Sequence, residues 1–343
     1  MATRRDVLKT TALAAATTFS GAFITRTQAQ QSINLRMQGF LAAASPTHRA
    51  FEKFARELGT VSGGRLNVTT LPAGGAVAPT ETINAIANGI LDGHYSSPSF
   101  FASRDPAFVL LGDTGASFDD VASRDGWFQK EGAVALAREV YAKFGLHYVD
   151  QIYWPSEHIP SRRALNGYAD LKGLKIRVPP GMISEVMGRT GASVVNLPGG
   201  EVFNALQSGV LDATDWASPG QNMEVGLYRA AKFSIDASHS MPTTEMSFNP
   251  KKWDAVPKEL QALFQKQLRA MDAELQIVIR ADDDKAIADM KTQGVQVIKW
   301  PKTEVAKLRE TTKTVQREFG ARNTLARKVY DSLFAYQQKL KLA

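Results

Sequence analysis

From Glu259 to Gln293, apolar residues recur at Leu260, Leu263, Phe264, Leu268, Met271, Leu275, Val278, Ile279, Ile287 and Met290, at spacings of three and four. That period puts one apolar stripe on an amphipathic helix. No glycine or proline interrupts about 35 residues, and at 1.5 Å per residue such a helix runs about 50 Å, long enough to lie across two lobes. Two shorter helices are expected at about 302–319 and 322–340, after Trp300-Pro301. Upstream the texture changes. Short apolar runs near 33–38, 66–71 and 91–97, and again near 174–178, 193–197 and 211–216, alternate with helical stretches. Strands that alternate with helices imply parallel βαβ units, buried under helices on both faces.

The two sets of strands belong to an internal repeat. Residues 81–92 read ETINAIANGILD and residues 201–212 read EVFNALQSGVLD, at a constant offset of 120. Leu71-Pro72-Ala73-Gly74-Gly75 returns as Leu197-Pro198-Gly199-Gly200, and Leu35-Arg36-Met37 is matched to Ile176-Arg177-Val178. Gly89 and Gly209 fit the position just past a helix end, where a positive φ is free of Cβ clashes. The reading is an α/β protein of two related lobes joined by a hinge and bridged by the long helix. Its first lobe takes residues 30–148 plus about 217–250, its second 149–216 plus about 251–300, and 301–343 form C-terminal helices. In open parallel sheets ligands gather beyond the carboxyl ends of the strands. Tyr95-Ser96-Ser97 and Asp215-Trp216 are therefore expected on facing walls of one cleft, the usual place for a small-molecule site.

Composition narrows the chemistry. Hydrophobic residues make up 44% and charged residues 22% of the 343, an ordinary globular balance. There is no cysteine, which removes disulfide scaffolds, iron–sulfur clusters, thiolate zinc sites and cysteine nucleophiles. The formal charge is +7, and nearly half of it lies in residues 1–29, where Arg4, Arg5, Lys9 and Arg26 oppose only Asp6. What remains is too thin for a nucleic-acid surface. Arg4-Arg5, an apolar stretch from Ala12 to Phe23 and Thr27-Gln28-Ala29 describe a twin-arginine export signal over 1–29 and a periplasmic address. The Asp282-Asp283-Asp284 run reads as a solvated face of the long helix.

The sequence resembles the periplasmic solute-binding proteins of tripartite ATP-independent (TRAP) transporters, the DctP family, across essentially all of the chain beyond the signal. The resemblance is carried by Asp170-Leu171-Lys172-Gly173-Leu174-Lys175-Ile176-Arg177-Val178, by Gly191-Ala192, by Leu197-Pro198-Gly199-Gly200-Glu201-Val202, and by Gly209-Val210-Leu211-Asp212-Ala213 with Asp215-Trp216. It is nearest to the branch that binds 2-oxo and 2-hydroxy monocarboxylates, some as metal complexes. The resemblance implies a receptor, not an enzyme, that closes on a small organic acid and delivers it to a membrane permease. It gives Arg177 as the partner of the substrate carboxylate and Gln151 as a contact to substrate and cation. Asp215, Trp216 and Glu245 it places around that cation. The branch often carries glutamate where Asp215 stands. Some members dimerise through a C-terminal helix, here residues 319–342, and a homodimer is a possibility of the same kind.

The residues suit those roles. A guanidinium offers a carboxylate two parallel charge-assisted hydrogen bonds and stays ionised. Arg177 ends an expected strand just before the rigid Val178-Pro179-Pro180-Gly181. Asp215 and Glu245 are flanked by apolar residues, and a buried carboxylate needs a partner or a metal. With the neutral oxygen of Gln151 they make an all-oxygen set suited to Na⁺ or Ca²⁺. Trp216, Tyr95 and Trp154 are candidate walls for the organic part of a ligand and Ser96 a candidate contact, while Phe101 and Tyr153 read as core. His94 and His158 read as wall residues near the cleft. Two other readings stay open: an exported enzyme acting on a carboxylate, and a binding protein of an ATP-driven importer. No GxSxG, Rossmann glycine fingerprint or GxxxxGK[ST] supports them.

Overall fold

The short apolar runs become strands, and long-range pairing sorts them into two sheets. In a computed structural model residues 32–342 are described; the export signal expected over 1–29 lies outside them. Among the described residues the strands are β1 (Ile33–Gly39), β2 (Leu66–Leu71), β3 (Gly93–Ser96), β4 (His147–Tyr153), β5 (Ile159–Ser161), β6 (Lys175–Arg177), β7 (Ser193–Val195), β8 (Ala213–Thr214), β9 (Phe233–Asp236), β10 (Thr243–Phe248) and β11 (Gln296–Lys299). The first sheet has the order β2-β1-β3-β10-β4 and the second β11-β9-β5-β8-β6-β7. In each, the repeat supplies a parallel trio: β2-β1-β3 in one and β7-β6-β8 in the other.

The repeat is visible in the hydrogen bonds. Met37 pairs with Gly93 as Ile176 pairs with Ala213. The two aspartates at the end of the repeated segment do the same work: Asp92 accepts from the Arg36 N–H at 2.8 Å, and Asp212 accepts from the Lys175 N–H at 3.0 Å. This register makes Gln38, not Arg36, the counterpart of Arg177, a shift of two residues from the match expected above. Gly89 and Gly209 have φ of 74° and 82°, the left-handed geometry expected just past a helix end.

The sheets are mixed, not purely parallel. An antiparallel strand enters each from the far side of a crossover: β5 follows β4 but joins β8, and β10 follows β9 but joins β3. Pairing therefore moves the lobe boundaries. Residues 149–153 stay in the first sheet on β4, and β9, within the stretch expected in the first lobe, belongs to the second. Hydrogen bonding across a sheet sets these limits, and composition along the chain does not report it. The two crossovers run side by side, with the Trp154 N–H donating to Pro242 O at 3.1 Å and the Glu157 N–H to Ser240 O at 3.0 Å.

The long helix runs from Lys258 to Thr292. Its first half packs Leu260, Phe264 and Leu268 against Leu35, Phe54 and Met246 of the first lobe, and its end packs Ala286 and Met290 against Tyr228 and Val295 of the second. It thus bridges both, as its length requires. Asp283 is no solvated residue: it accepts from the Ser218 hydroxyl at 2.6 Å and the Gly220 N–H at 2.8 Å, at the start of helix Pro219–Glu224, and burial raises its pKa. The C-terminal helices, Lys302–Ala321 and Thr324–Lys339, lay their apolar faces on the chain's own lobes. Trp127 donates to Ser332, Gln316 to Thr114 O, and Arg189 pairs with Glu318 at 2.7 Å. No described helix is long and apolar enough to cross a membrane.

Candidate ligand and cation site

Arg177 sits at the carboxyl end of β6, where parallel strands present their ligands. Its Nε donates to Leu197 O at 3.2 Å and its Nη1 to Asp215 O at 3.0 Å. Both acceptors are neutral carbonyls, so the guanidinium is oriented without being neutralised, and Nη2 takes part in neither bond. Its Cζ lies 5.4 Å from the ring centroid of the half-buried Trp216, a cation–π contact. Burial lowers its pKa, opposed by Asp215 and Glu157. The Leu197-Pro198-Gly199 turn supports this arrangement from below. A Cβ at Gly199 would stand 2.7 Å from Trp216 Cη2, so glycine is what lets the indole lie there.

Asp215 follows β8 and is 1% exposed. Its Oδ1 lies 2.9 Å from His239 Nε2, in the crossover between β9 and β10. Glu157, in the other crossover, completes a set of three ligating atoms within 4.8 Å of one another. Ser238, just before His239, adopts a left-handed φ of 46°, a conformation disfavoured for an L-residue and found where neighbouring contacts enforce it. A third acidic group, Asp113, arrives from the first lobe. The Ser240 hydroxyl lies 2.7 Å from Asp113 Oδ2 and 2.6 Å from Glu157 Oε2.

A hydroxyl has one proton and can donate to only one of these two carboxylates. Burial, then Asp215 and Asp113, push the Glu157 carboxyl well above the ordinary carboxylate range. Burial likewise raises Asp113, against the pull of Arg124. His239 is buried, and its Nδ1 has no partner among the described residues. Three carboxylates and too few donors make a place that a cation fits.

The site residues expected from sequence divide into two groups. Arg177, Asp215 and Trp216 come together. Gln151, Glu245, Tyr95 and Ser96 lie instead on strands of the first sheet. Gln151 and Glu245 are cross-strand neighbours in the first sheet, with Ser96 on the next strand, and all three are buried. The Gln151 carbonyl oxygen accepts from the Tyr148 hydroxyl at 2.6 Å and its amide donates to Tyr153. Glu245 lies 2.8 Å from His94 and accepts from Ser247. Tyr95 is a core residue between Phe40 and Phe51, and burial raises its pKa.

Trp154, which donates to the Thr244 hydroxyl at 3.1 Å, lines a groove of about 570 Å³ between helix Pro46–Val61, helix Pro219–Glu224 and the long helix. None of Arg177, Asp215, Glu157 and His239 lines that groove, and the polar cluster is the better site on chemical grounds. Glu157, His239, Ser240 and Asp113 were not anticipated. The prolines that bracket the crossovers, Pro155 and Pro242, were the available signal, because they mark segments outside the sheets.

The model of the bacterial extracellular solute-binding proteins, family 7 (DctP), matches residues 37–323. A monocarboxylate 2-oxoacid-binding periplasmic protein of Nostoc sp. is 25% identical, covering 98% of this chain and 94% of its own. A TRAP periplasmic solute-binding protein from Rhodobacter sphaeroides, solved in an apo open form, is 31% identical with a TM-score of 0.80, over 90% of this chain and 99% of that one. Another from Colwellia psychrerythraea, solved with bound calcium and pyruvate, has a TM-score of 0.79 at 20% identity, over 91% and 96% of the two chains. The chain belongs to the bacterial extracellular solute-binding proteins of family 7, the TRAP transporter receptors, and its two-sheet α/β fold is theirs.

Proposed function

We propose that this receptor captures a small 2-oxo or 2-hydroxy monocarboxylate, with Arg177 as the carboxylate anchor and a cation held by Glu157, Asp215 and His239. The observation that carries this reading is the guanidinium fixed by two carbonyls beside a surplus of buried carboxylate. An anion meets a full positive charge at Arg177, and Trp216 and the Leu197–Gly199 turn hold that charge in place. The cation balances the carboxylates and keeps positions open for ligand oxygens. The Nostoc relative's name and the Colwellia structure's calcium and pyruvate point to the same ligand class.

Glu157 and His239 lie in the two crossovers, so capture and lobe closure act on the same residues. Closure removes water from the Arg177–carboxylate pair and strengthens it. The ligand leaves unaltered for a TRAP permease, and the protein reaches the periplasm through the twin-arginine signal at Arg4-Arg5.

Arg177→Ala tests the reading by calorimetry against a set of 2-oxo and 2-hydroxy acids. Removing one partner of a buried charge pair costs about 2–5 kcal/mol, so affinity falls by roughly thirtyfold or more. The unfolding transition moves little, because the side chain's own bonds are two ordinary hydrogen bonds to carbonyls. Unchanged affinity in that variant removes Arg177 from the site. Recovery of chemically altered acid after incubation would overturn the receptor role.

A further inference from the structure

We infer that the ion at this cluster is a divalent transition metal that accepts imidazole, of the zinc or cobalt type, in place of calcium or sodium; this rests on the cation site proposed above. The donor set decides it. Calcium takes six to eight oxygen ligands, and sodium is likewise an oxygen-seeking ion, whereas imidazole suits zinc, nickel, copper and iron. Here the three atoms within 4.8 Å of one another are two carboxylate oxygens and one ring nitrogen. Three protein ligands with positions left for an organic acid are the arrangement of open zinc sites, not of a calcium cage.

The histidine is placed for the task. His239 is 2% exposed, one nitrogen faces Asp215 at 2.9 Å, and the other has no partner. An imidazole nitrogen and a carboxylate oxygen at that separation can both bind one ion, and the second nitrogen is left to carry the ring proton. The other buried histidine–carboxylate pair, His94 with Glu245, differs on this point: the second nitrogen of His94 is bonded to Thr82 Oγ1 at 2.9 Å. The Ser240 hydroxyl, 2.6 Å from Glu157, holds that carboxylate toward the same point from the opposite crossover.

The experiment uses the full chain beyond the export signal, stripped of ions by chelation and dialysis. It is loaded separately with Zn²⁺, Co²⁺, Ca²⁺ and Na⁺, and ion retention is read by native mass spectrometry and competition titration. His239→Glu offers the all-oxygen alternative. It should narrow the ratio of the calcium to the zinc dissociation constant by about a hundredfold or more, the upper end of what even an outer-shell change does to metal affinity. A second readout needs no variant: the Co²⁺-loaded wild type should show a strongly shifted, exchangeable imidazole N–H proton by NMR.

An unchanged ratio in His239→Glu, or a cobalt form without an imidazole signal, overturns the inference. Organic-acid binding is measured in parallel and separates the two levels. If Ca²⁺ alone supports capture by the wild type, the receptor reading stands and the transition-metal inference fails. If no ion affects capture, the cation site itself falls and the inference with it.

Discussion

The two lobes start from one folding unit and end with opposite electrostatics. Gln38 and Arg177 follow paired residues at matching places, and each reaches the loop beyond the neighbouring strand. Gln38 is fully engaged there: its oxygen accepts from the Ala76 and Val77 N–H groups and its amide donates to Val77 O. Arg177 makes two such bonds and keeps its charge. Each lobe also buries a histidine against a carboxylate, at 2.8 Å for His94–Glu245 and 2.9 Å for His239–Asp215. In the first lobe Thr82 bonds the other nitrogen of His94 and Ser247 the other oxygen of Glu245. Beside the second pair, Glu157 and, from the first lobe, Asp113 add two more carboxyl groups, with Arg177 and Arg124 as the cations near them. A buried charge that its own lobe satisfies builds the fold, and one left over builds a site.

The strongest test of that contrast exchanges the consequences of two carboxylate losses. Glu245→Ala leaves His94 and Ser247 facing a cavity, and breaking a buried pair costs about 3–5 kcal/mol. Its urea midpoint should fall accordingly, while the folded fraction binds organic acid within about twofold of wild type, a difference under about 0.5 kcal/mol. Asp215→Asn should do the reverse. The amide keeps an oxygen for His239 and relieves repulsion from Glu157, so unfolding changes by about 1 kcal/mol, the net worth of one hydrogen bond. Ion retention and acid capture should be lost. If the two variants cannot be told apart, the division between satisfied and surplus charge is wrong.

A third buried carboxylate sharpens the comparison through pH. Asp272, on the long helix, accepts from the Tyr153 N–H at 2.9 Å where β4 passes into the first crossover. Burial raises its pKa from 3.8 to about 6, opposed by the Tyr153 N–H, Arg269 and Gln276, while Asp125 adds to it. The native state therefore holds a proton that the unfolded chain has already released between about pH 4 and 6. Stability contributed by that proton is present at low pH and lost as pH rises through 6, by up to about 3 kcal/mol at about 1.4 kcal/mol per unit. Asp272→Asn keeps an oxygen for Tyr153 and removes the titration. It should be more stable than wild type at pH 7.5, with the advantage vanishing toward pH 4. A parallel pair of stability–pH curves would show that Asp272 does not carry that proton.

Much of the scaffold could be read from the chain because its signals are local. The long helix announces itself by spacing, and the repeated helix–Gly–strand segment by identity at Asn84 and Asn204, Gly89 and Gly209, Asp92 and Asp212. The exchange of β5 and β10 between lobes could not be read, because β5 is three residues long and its partners lie about 50 to 75 residues away. The site was half legible. Arg177, Asp215 and Trp216 sit at strand ends that the repeat locates. Gln151 and Glu245 look like buried polar residues, and they are, but strand pairing encloses them within the first lobe. Glu157 and His239 lie in crossovers without periodicity, and only the meeting of two distant segments gives them a common function.

The smallest expected effect probes how the second lobe made room for its aromatic wall. The Leu-Pro turn carries Ala73 in the first lobe and Gly199 in the second, while the residue two past the paired Gly93 or Ala213 differs as Tyr95 or Asp215, with Ser96 or Trp216 next. Small chain and large chain trade places: alanine is compatible with serine, and the indole requires glycine. Gly199→Ala puts a Cβ 2.7 Å from Cη2 and 3.0 Å from Cζ3 of Trp216, inside any ordinary contact. The ring must move, and with it the face on which the Arg177 guanidinium rests. A displaced cation–π contact is worth about 0.5–2 kcal/mol, so acid affinity should fall by about two- to thirtyfold with little change in unfolding. Gly200→Ala, where a Cβ meets nothing within 4 Å, is the control and should bind like wild type. Equal behaviour of the two alanines would mean that Trp216 is free to give way, and that the indole does not help to aim Arg177.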